Sequence, residues 1–88
     1  MPLIAQFRGI SVYMYTECDA PHHLPHFHAY YGEHLASFVL TPPGLLEGAL
    51  PRTQLRFVLA WAELHEAEIA ENWRRVQAGL PPQRILGI

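Results

Sequence analysis

The sequence predicts an α+β fold in which a small antiparallel sheet of three to five strands is followed by one long C-terminal helix packed on one face. Two patterns predict it. Before Pro51, apolar and polar residues alternate with the period of two that is typical of strands with one buried face. Between Pro51 and Gly79 there is no proline or glycine, and apolar residues recur at helical spacing. We therefore expect a single domain over residues 1–88, with a strand-rich part at 1–50, a helix at about 52–78 and an extended tail at 79–88.

The first strands are predicted from alternation within the N-terminal part of the chain. A short strand from Leu3 to Phe7 is expected to turn at Arg8-Gly9 into a second strand. In this second strand three apolar residues alternate with three polar or aromatic ones: Ile10, Val12 and Met14 with Ser11, Tyr13 and Tyr15. A further short strand is expected from Leu45 to Ala49.

A hairpin is predicted around Gly32-Glu33, because glycine at the first position of a two-residue loop suits a type II′ turn. This turn fixes the pairing of residues 26–31 with residues 34–40, so that Phe27 faces Phe38 on one side of the hairpin. Since that side is the more apolar, we expect the helix to cover it. The opposite side then carries what we call the aromatic–histidine face, formed by His26, His28 and Tyr30 with Tyr13 and Tyr15 of the neighbouring strand.

The predicted helix has one apolar stripe with a polar group at its margin. Trp73 lies at the centre of the stripe and is expected to be largely buried. The stripe contains Leu55, Val58, Leu59, Ala62, Ile69, Trp73 and Val76, widened by Phe57, Trp61 and Leu64. His65, Glu68 and Asn72 are spaced so that they can touch. Two interpretations stay open: a structural network in which Glu68 or Asn72 orients His65, or a functional cluster.

The segment "HHLPHFHA", residues 22–29, holds four of the six histidines. His26 and His28 are two apart on a predicted strand, so both imidazoles project from one face about 7 Å apart at their backbones. This spacing permits chelation of a divalent ion such as Zn²⁺, given a third ligand from the preceding loop. The candidates for that third ligand are Glu17, Cys18, Asp19, His22 and His23.

Two other roles for these histidines stay open beside metal binding. They can bond loop carbonyls in a purely structural role, or act in general acid–base chemistry, since histidine titrates near neutral pH. The candidate catalytic residues are His26, His28 and His65, and whether the chain is an enzyme stays open.

Composition narrows the classes of partner and compartment. Six arginines, no lysine and eight acidic residues give a net charge of −2, which argues against a strong sequence-independent grip on nucleic acid but leaves a small basic patch open. No stretch approaches the ~20 apolar residues of a membrane span, and the N-terminus lacks the pattern of a signal peptide. The single cysteine cannot form an internal disulfide. We therefore expect a cytoplasmic protein that does not contact a membrane.

Several stretches resemble a family of small bacterial proteins classed as domain-of-unknown-function family 4160. The stretches are "GISVYMY", "PHFHA" and the overlapping "HFHAYYGEH", "LEGALPR", "FVLAWAELHEAEIAENW" and the late "PP", and they span nearly the whole chain. The loop before Pro25 is longer here than in that family and adds His22 and His23, which makes His26 and His28 the better candidates for a shared role. The positions that match the recurring family motifs are Pro25, His26, Phe27, His28, His65, Glu71, Asn72 and Trp73.

The resemblance implies a two-gene bacterial module, because genes of this family often lie beside a second small gene in an arrangement like a toxin–antitoxin pair. It implies no reaction. Three hypotheses follow. The chain is one member of such a pair and binds its partner, either the neighbouring gene's product or a second copy, through the aromatic–histidine face. Alternatively it is a small histidine- or metal-dependent enzyme, for example one acting on RNA, or a non-catalytic regulatory module.

Overall fold

A computed structural model describes residues 3–15 and 24–86 of the chain. Within these ranges a five-stranded sheet is followed by two helices. The strands are β1 (Leu3–Phe7), β2 (Ile10–Tyr13), β3 (His26–Tyr31), β4 (His34–Leu40) and β5 (Pro43–Gly48), and the helices are α1 (Arg52–Leu64) and α2 (Glu66–Gln77).

The sheet is antiparallel throughout, and its strands lie side by side in chain order. Arg8 and Gly9 join β1 to β2 with φ values of 49° and 77°, the pair of positive angles that a type I′ hairpin turn requires. The predicted hairpin register is confirmed, since Phe27 pairs with Phe38 and Tyr31 with His34.

The last strand is longer than the predicted segment Leu45–Ala49 and begins at Pro43. Its pairing with β4 shifts between Ser37 and Phe38, which marks a bulge. Gly48 ends the strand at a φ of 81°, and a Cβ added there would lie 2.3 Å from the Leu35 carbonyl oxygen. Only glycine fits this close approach, which brings the chain off the sheet towards α1.

The helices pack on the Phe27/Phe38 side of the sheet, as expected from its apolar character. The Trp61 ring of α1 lies edge-on to Phe27 at 5.6 Å between centroids and contacts Phe7 at 5.4 Å. The core beneath the helices includes the fully buried residues Ile4, Ile10, Val12, Met14, Phe27, Phe38, Val58, Trp61 and Ile69.

The prediction of one long helix is wrong, because His65 interrupts it with φ −120° and ψ 27°. A continuous helix of 26 residues would be about 39 Å long at 1.5 Å per residue, whereas the longest extent of the molecule is 33 Å. The break occupies a single residue: the His65 N–H still donates to the Trp61 carbonyl, and the His65 carbonyl accepts from Ile69. Glu66 and Glu68 follow in the first turn of α2, where acidic side chains favour a helix start.

The buried line along the helices is also rotated relative to the predicted stripe. Trp61 and Asn72 are fully buried, whereas Trp73, predicted at the centre, is half-buried and Leu64 is 69% exposed. The rotation turns Trp73 towards the end of the sheet, where its ring lies beside His26.

The extended tail is fastened to α2 and β1 by three sets of hydrogen bonds. Arg75 donates from Nε to the Pro81 carbonyl at 2.8 Å. The Asn72 amide donates to the Gln83 carbonyl at 2.8 Å and accepts from the Gln83 N–H at 2.7 Å. Farther on, the Ile85 N–H donates to the Ile4 carbonyl at 2.7 Å, so the tail borders the β1 edge of the sheet.

Neither helix in the described ranges has the length and apolar character needed to cross a bilayer.

Candidate functional site

Four rings from three parts of the chain form a row where β3 begins. The centroid of Trp73 lies 5.5 Å from that of His26, which lies 5.1 Å from His28. The His28 ring in turn stacks on Tyr15 at 4.7 Å with an angle of 9° between planes. We refer to these four residues as the ring row. It joins residues of the "PHFH" and "ENW" motifs, which are far apart in the sequence.

Strand geometry and the helix break together build the ring row. His26 and His28 share one side of β3 because strand side chains alternate, and Tyr13 pairs with His28 across β2 and β3. Trp73 approaches from α2 beyond the end of the sheet. His26 is thereby only 7% exposed, which leaves the accessible part of the aromatic–histidine face to His28 and the three tyrosines.

Each histidine of the pair has its Nδ1 atom engaged by a neighbour. His26 Nδ1 lies 2.8 Å from the Leu24 carbonyl oxygen, and since a carbonyl can only accept, this nitrogen carries a proton. His28 Nδ1 lies 3.3 Å from the Ser37 hydroxyl, on the residue directly opposite in β4. Both rings are therefore held in fixed orientations from their Nδ1 side.

Ser37 was not among the predicted site residues. The hairpin register that the sequence predicts already places it opposite His28, so this pairing was the signal that could have identified it.

The rest of the aromatic–histidine face consists of paired tyrosines. Tyr13 and Tyr30 meet edge to face at 5.4 Å, and both are half-buried. Leu35, opposite Tyr30 in β4, is 45% exposed and extends the apolar surface. Three of the four tyrosines in the chain thus share one face, where the predictions placed them.

His65 belongs to a different part of the molecule. Its Nδ1 atom lies 2.7 Å from the Glu68 carboxylate, and its ring contacts Trp61 at 6.0 Å. Trp73, the ring neighbour of His26, is eight residues farther along, about 12 Å at helical rise. The structure therefore supports Glu68 as the residue that orients His65, while Asn72 holds the tail instead.

A metal site is not complete within the part of the chain that the structure describes. There, no group of three or more His, Cys, Asp or Glu side chains is placed to hold an ion. The predicted loop ligands Glu17, Cys18, Asp19, His22 and His23 all lie outside the described residues. Zinc binding by His26 and His28 stays a prediction.

Comparison with known proteins identifies the family but no activity. No curated protein matches the chain, and no solved structure matches it. The profile of a family described as a domain of unknown function, DUF4160, matches residues 9–74, which include β2, the ring row and most of both helices. The chain therefore belongs to the DUF4160 family.

Proposed function

We propose that this chain is a protein-binding module, one member of a toxin–antitoxin-like two-gene pair, and that it docks its partner protein on the aromatic–histidine face. The observation that carries the proposal is the division of the sheet: both helices pack on the Phe27/Phe38 side, while three tyrosines and His28 gather on the other.

The chemistry of this face suits a protein partner. Tyrosine offers rigid apolar area with a polar tip, and aromatic residues are enriched at protein interfaces. The contacts between Tyr13 and Tyr30 and between Tyr15 and His28 hold these rings in place before binding, which lowers the ordering cost of association. Tyr13, Tyr15, His28 and Tyr30 include no arginine or lysine side chain to neutralise phosphate. The face therefore favours protein over bare nucleic acid.

Truncation of the face is expected to weaken partner binding without unfolding the chain. In the double variant His28→Ala, Tyr30→Ala, loss of two central rings should reduce affinity for the neighbouring gene's product by at least ~30-fold, equivalent to ~2 kcal/mol. The measurement is titration calorimetry with the co-purified partner, with growth arrest and rescue scored for each gene alone and for both together.

A matched control uses exposed residues outside the face. The double variant His34→Ala, Leu64→Ala removes a histidine and a large apolar side chain from surface positions and should leave the affinity unchanged. Equal affinity for the face variant and the control, with both folded by circular dichroism, would exclude this face as the docking surface. Loss of self-association alone would identify the partner as a second copy of the chain.

A metal- or histidine-dependent activity is the second candidate, favoured by the way the two imidazoles are held. The bond from His26 Nδ1 to the Leu24 carbonyl matches the outer contact that commonly orients a metal-binding histidine. His28 Nδ1 has a comparable contact with the Ser37 hydroxyl at 3.3 Å, a group that can either donate or accept.

If His26 and His28 bind zinc, the purified chain should take up about one Zn²⁺ per chain at neutral pH. Binding should weaken as the pH falls, because protons compete with the metal for imidazole nitrogen. Isothermal titration and elemental analysis test this on the wild type and on His26→Gln, His28→Gln, with His34→Gln as the control. Equal zinc uptake by the first variant and the control would rule out this pair as the ligands.

A further inference from the structure

An apolar cavity of about 220 Å³ opens beside the ring row, where β3 begins and β4 ends. Its walls come from three parts of the chain, and the Trp73 ring separates it from His26. The principal lining residues are Leu24 and Pro25 before β3, Val39 and Leu40 of β4, and Ala70 and Trp73 of α2. The cavity is distinct from the proposed docking surface, since none of Tyr13, Tyr15, His28 or Tyr30 lines it.

The lining selects for an uncharged occupant. Among the described residues, none that lines the cavity carries a formal charge, and Thr41 supplies the one side-chain hydroxyl. A charged group entering such a site would lose hydration without gaining a counter-charge. An aromatic ring, in contrast, finds an indole to stack on and aliphatic walls to contact.

The size of the cavity suits a small molecule rather than a segment of a protein partner. An apolar cavity of about 150 Å³ in another protein holds benzene, so this volume suits a benzene ring with a short substituent. Seven residues of the described ranges line the cavity, whereas a standard protein interface involves about 20–30 residues on each side. The cavity is therefore too small to hold a protein partner by itself.

We propose that this cavity is a binding site for a small neutral aromatic molecule, whose ring stacks on Trp73 between α2 and the end of β4. The inference does not depend on the docking function, because the two sites use different side chains.

Three probes of matched size test the selection for neutral ligands. Benzyl alcohol, benzoate and benzylammonium share one ring and differ in charge. We expect saturable shifts of the Trp73 indole N–H and the Ala70 amide in ¹H–¹⁵N spectra with benzyl alcohol, with a dissociation constant on the order of 1 mM. The two charged probes should bind at least tenfold more weakly. Equal binding of all three, or no saturable shift with benzyl alcohol, would overturn the proposal.

A pair of variants tests whether benzyl alcohol binds in this cavity. In Ala70→Phe, the new ring can occupy the cavity, so benzyl alcohol should bind at least tenfold more weakly. The control Ala60→Phe places the same side chain on the exposed surface of α1 and should bind as the wild type does. Unchanged binding in Ala70→Phe would show that the molecule binds elsewhere and would refute the assignment of this cavity.

Discussion

Replacing Trp61 with alanine is expected to lower the free energy of unfolding by about 3–5 kcal/mol, the largest effect of any single truncation considered. Trp61 is fully buried, and its ring contacts Phe7 of β1, Phe27 of β3 and His65 at the helix break. Its loss removes the side chain that joins α1 and the helix break to the sheet and leaves a large cavity. Because small domains are stable by only about 5–15 kcal/mol, the variant should be largely unfolded on mild heating.

Two companion variants separate the causes of this loss. Trp61 Nε1 is buried with no hydrogen-bond partner among the described residues, so Trp61→Phe removes an unsatisfied donor and keeps a ring in place. We expect it to cost only about 1–2 kcal/mol. Trp73→Ala, at a half-buried position, should also cost about 1–2 kcal/mol. Urea denaturation of all three measures these differences, and a greater loss in Trp73→Ala than in Trp61→Ala would contradict the packing described here.

The strands were the more predictable part of the fold because their signals are local. Arginine and glycine at positions 8 and 9, glycine at 32, and period-two alternation specify turns and faces without reference to distant residues. The predicted hairpin register also places His28 and Tyr30 on one face, and the pairing of Tyr13 with His28 across β2 and β3 adds a neighbouring tyrosine.

The helix break was not predictable from local signals. His65 is neither proline nor glycine, and the hydrophobic period continues across it. The break shows only in the folded chain, whose longest extent is 33 Å, less than the ~39 Å of an unbroken helix of the predicted length. Trp73 packs against the core but is only partly buried, since a stripe read from one straight helix does not fix how each half rotates on the sheet.

The sequence pattern predicted the histidine pair and the strand face that it lies on. It did not predict which residues from the helices contact that pair. The pairing of His26 with His28 follows from strand period, whereas the contact of Trp73 with His26 depends on where α2 lies after the break. Asn72 could not be assigned from helical spacing alone. Its neighbours along the helix suggested His65, but its hydrogen bonds go to the tail eleven residues later.

The second large effect is expected at Asn72, where alanine should lower the free energy of unfolding by about 2–4 kcal/mol. Asn72 is 1% exposed, and its amide bonds both backbone groups of Gln83. Truncation leaves the Gln83 N–H and carbonyl without these partners; each buried unsatisfied group costs about 1–3 kcal/mol, reduced here because Gln83 can regain water. With this anchor gone, residues 80–86 should detach from α2, and the bond from Ile85 to Ile4 should weaken with them.

Hydrogen exchange distinguishes loss of the anchor from general destabilisation. In Asn72→Ala the Gln83 and Ile85 amides should exchange much faster than in the wild type, while the β3 and β4 amides keep protection relative to global unfolding.

Asn72→Asp is the informative comparison, because its carboxylate still accepts from the Gln83 N–H but has no N–H to donate to the Gln83 carbonyl. It should protect the Gln83 amide better than alanine does while remaining less stable than the wild type. The exposed neighbour Gln77→Ala serves as the control and should leave all these amides unchanged. If the Ile85 amide keeps its full protection in Asn72→Ala, the tail is held by the buried Ile85 side chain and the strand edge rather than by the asparagine.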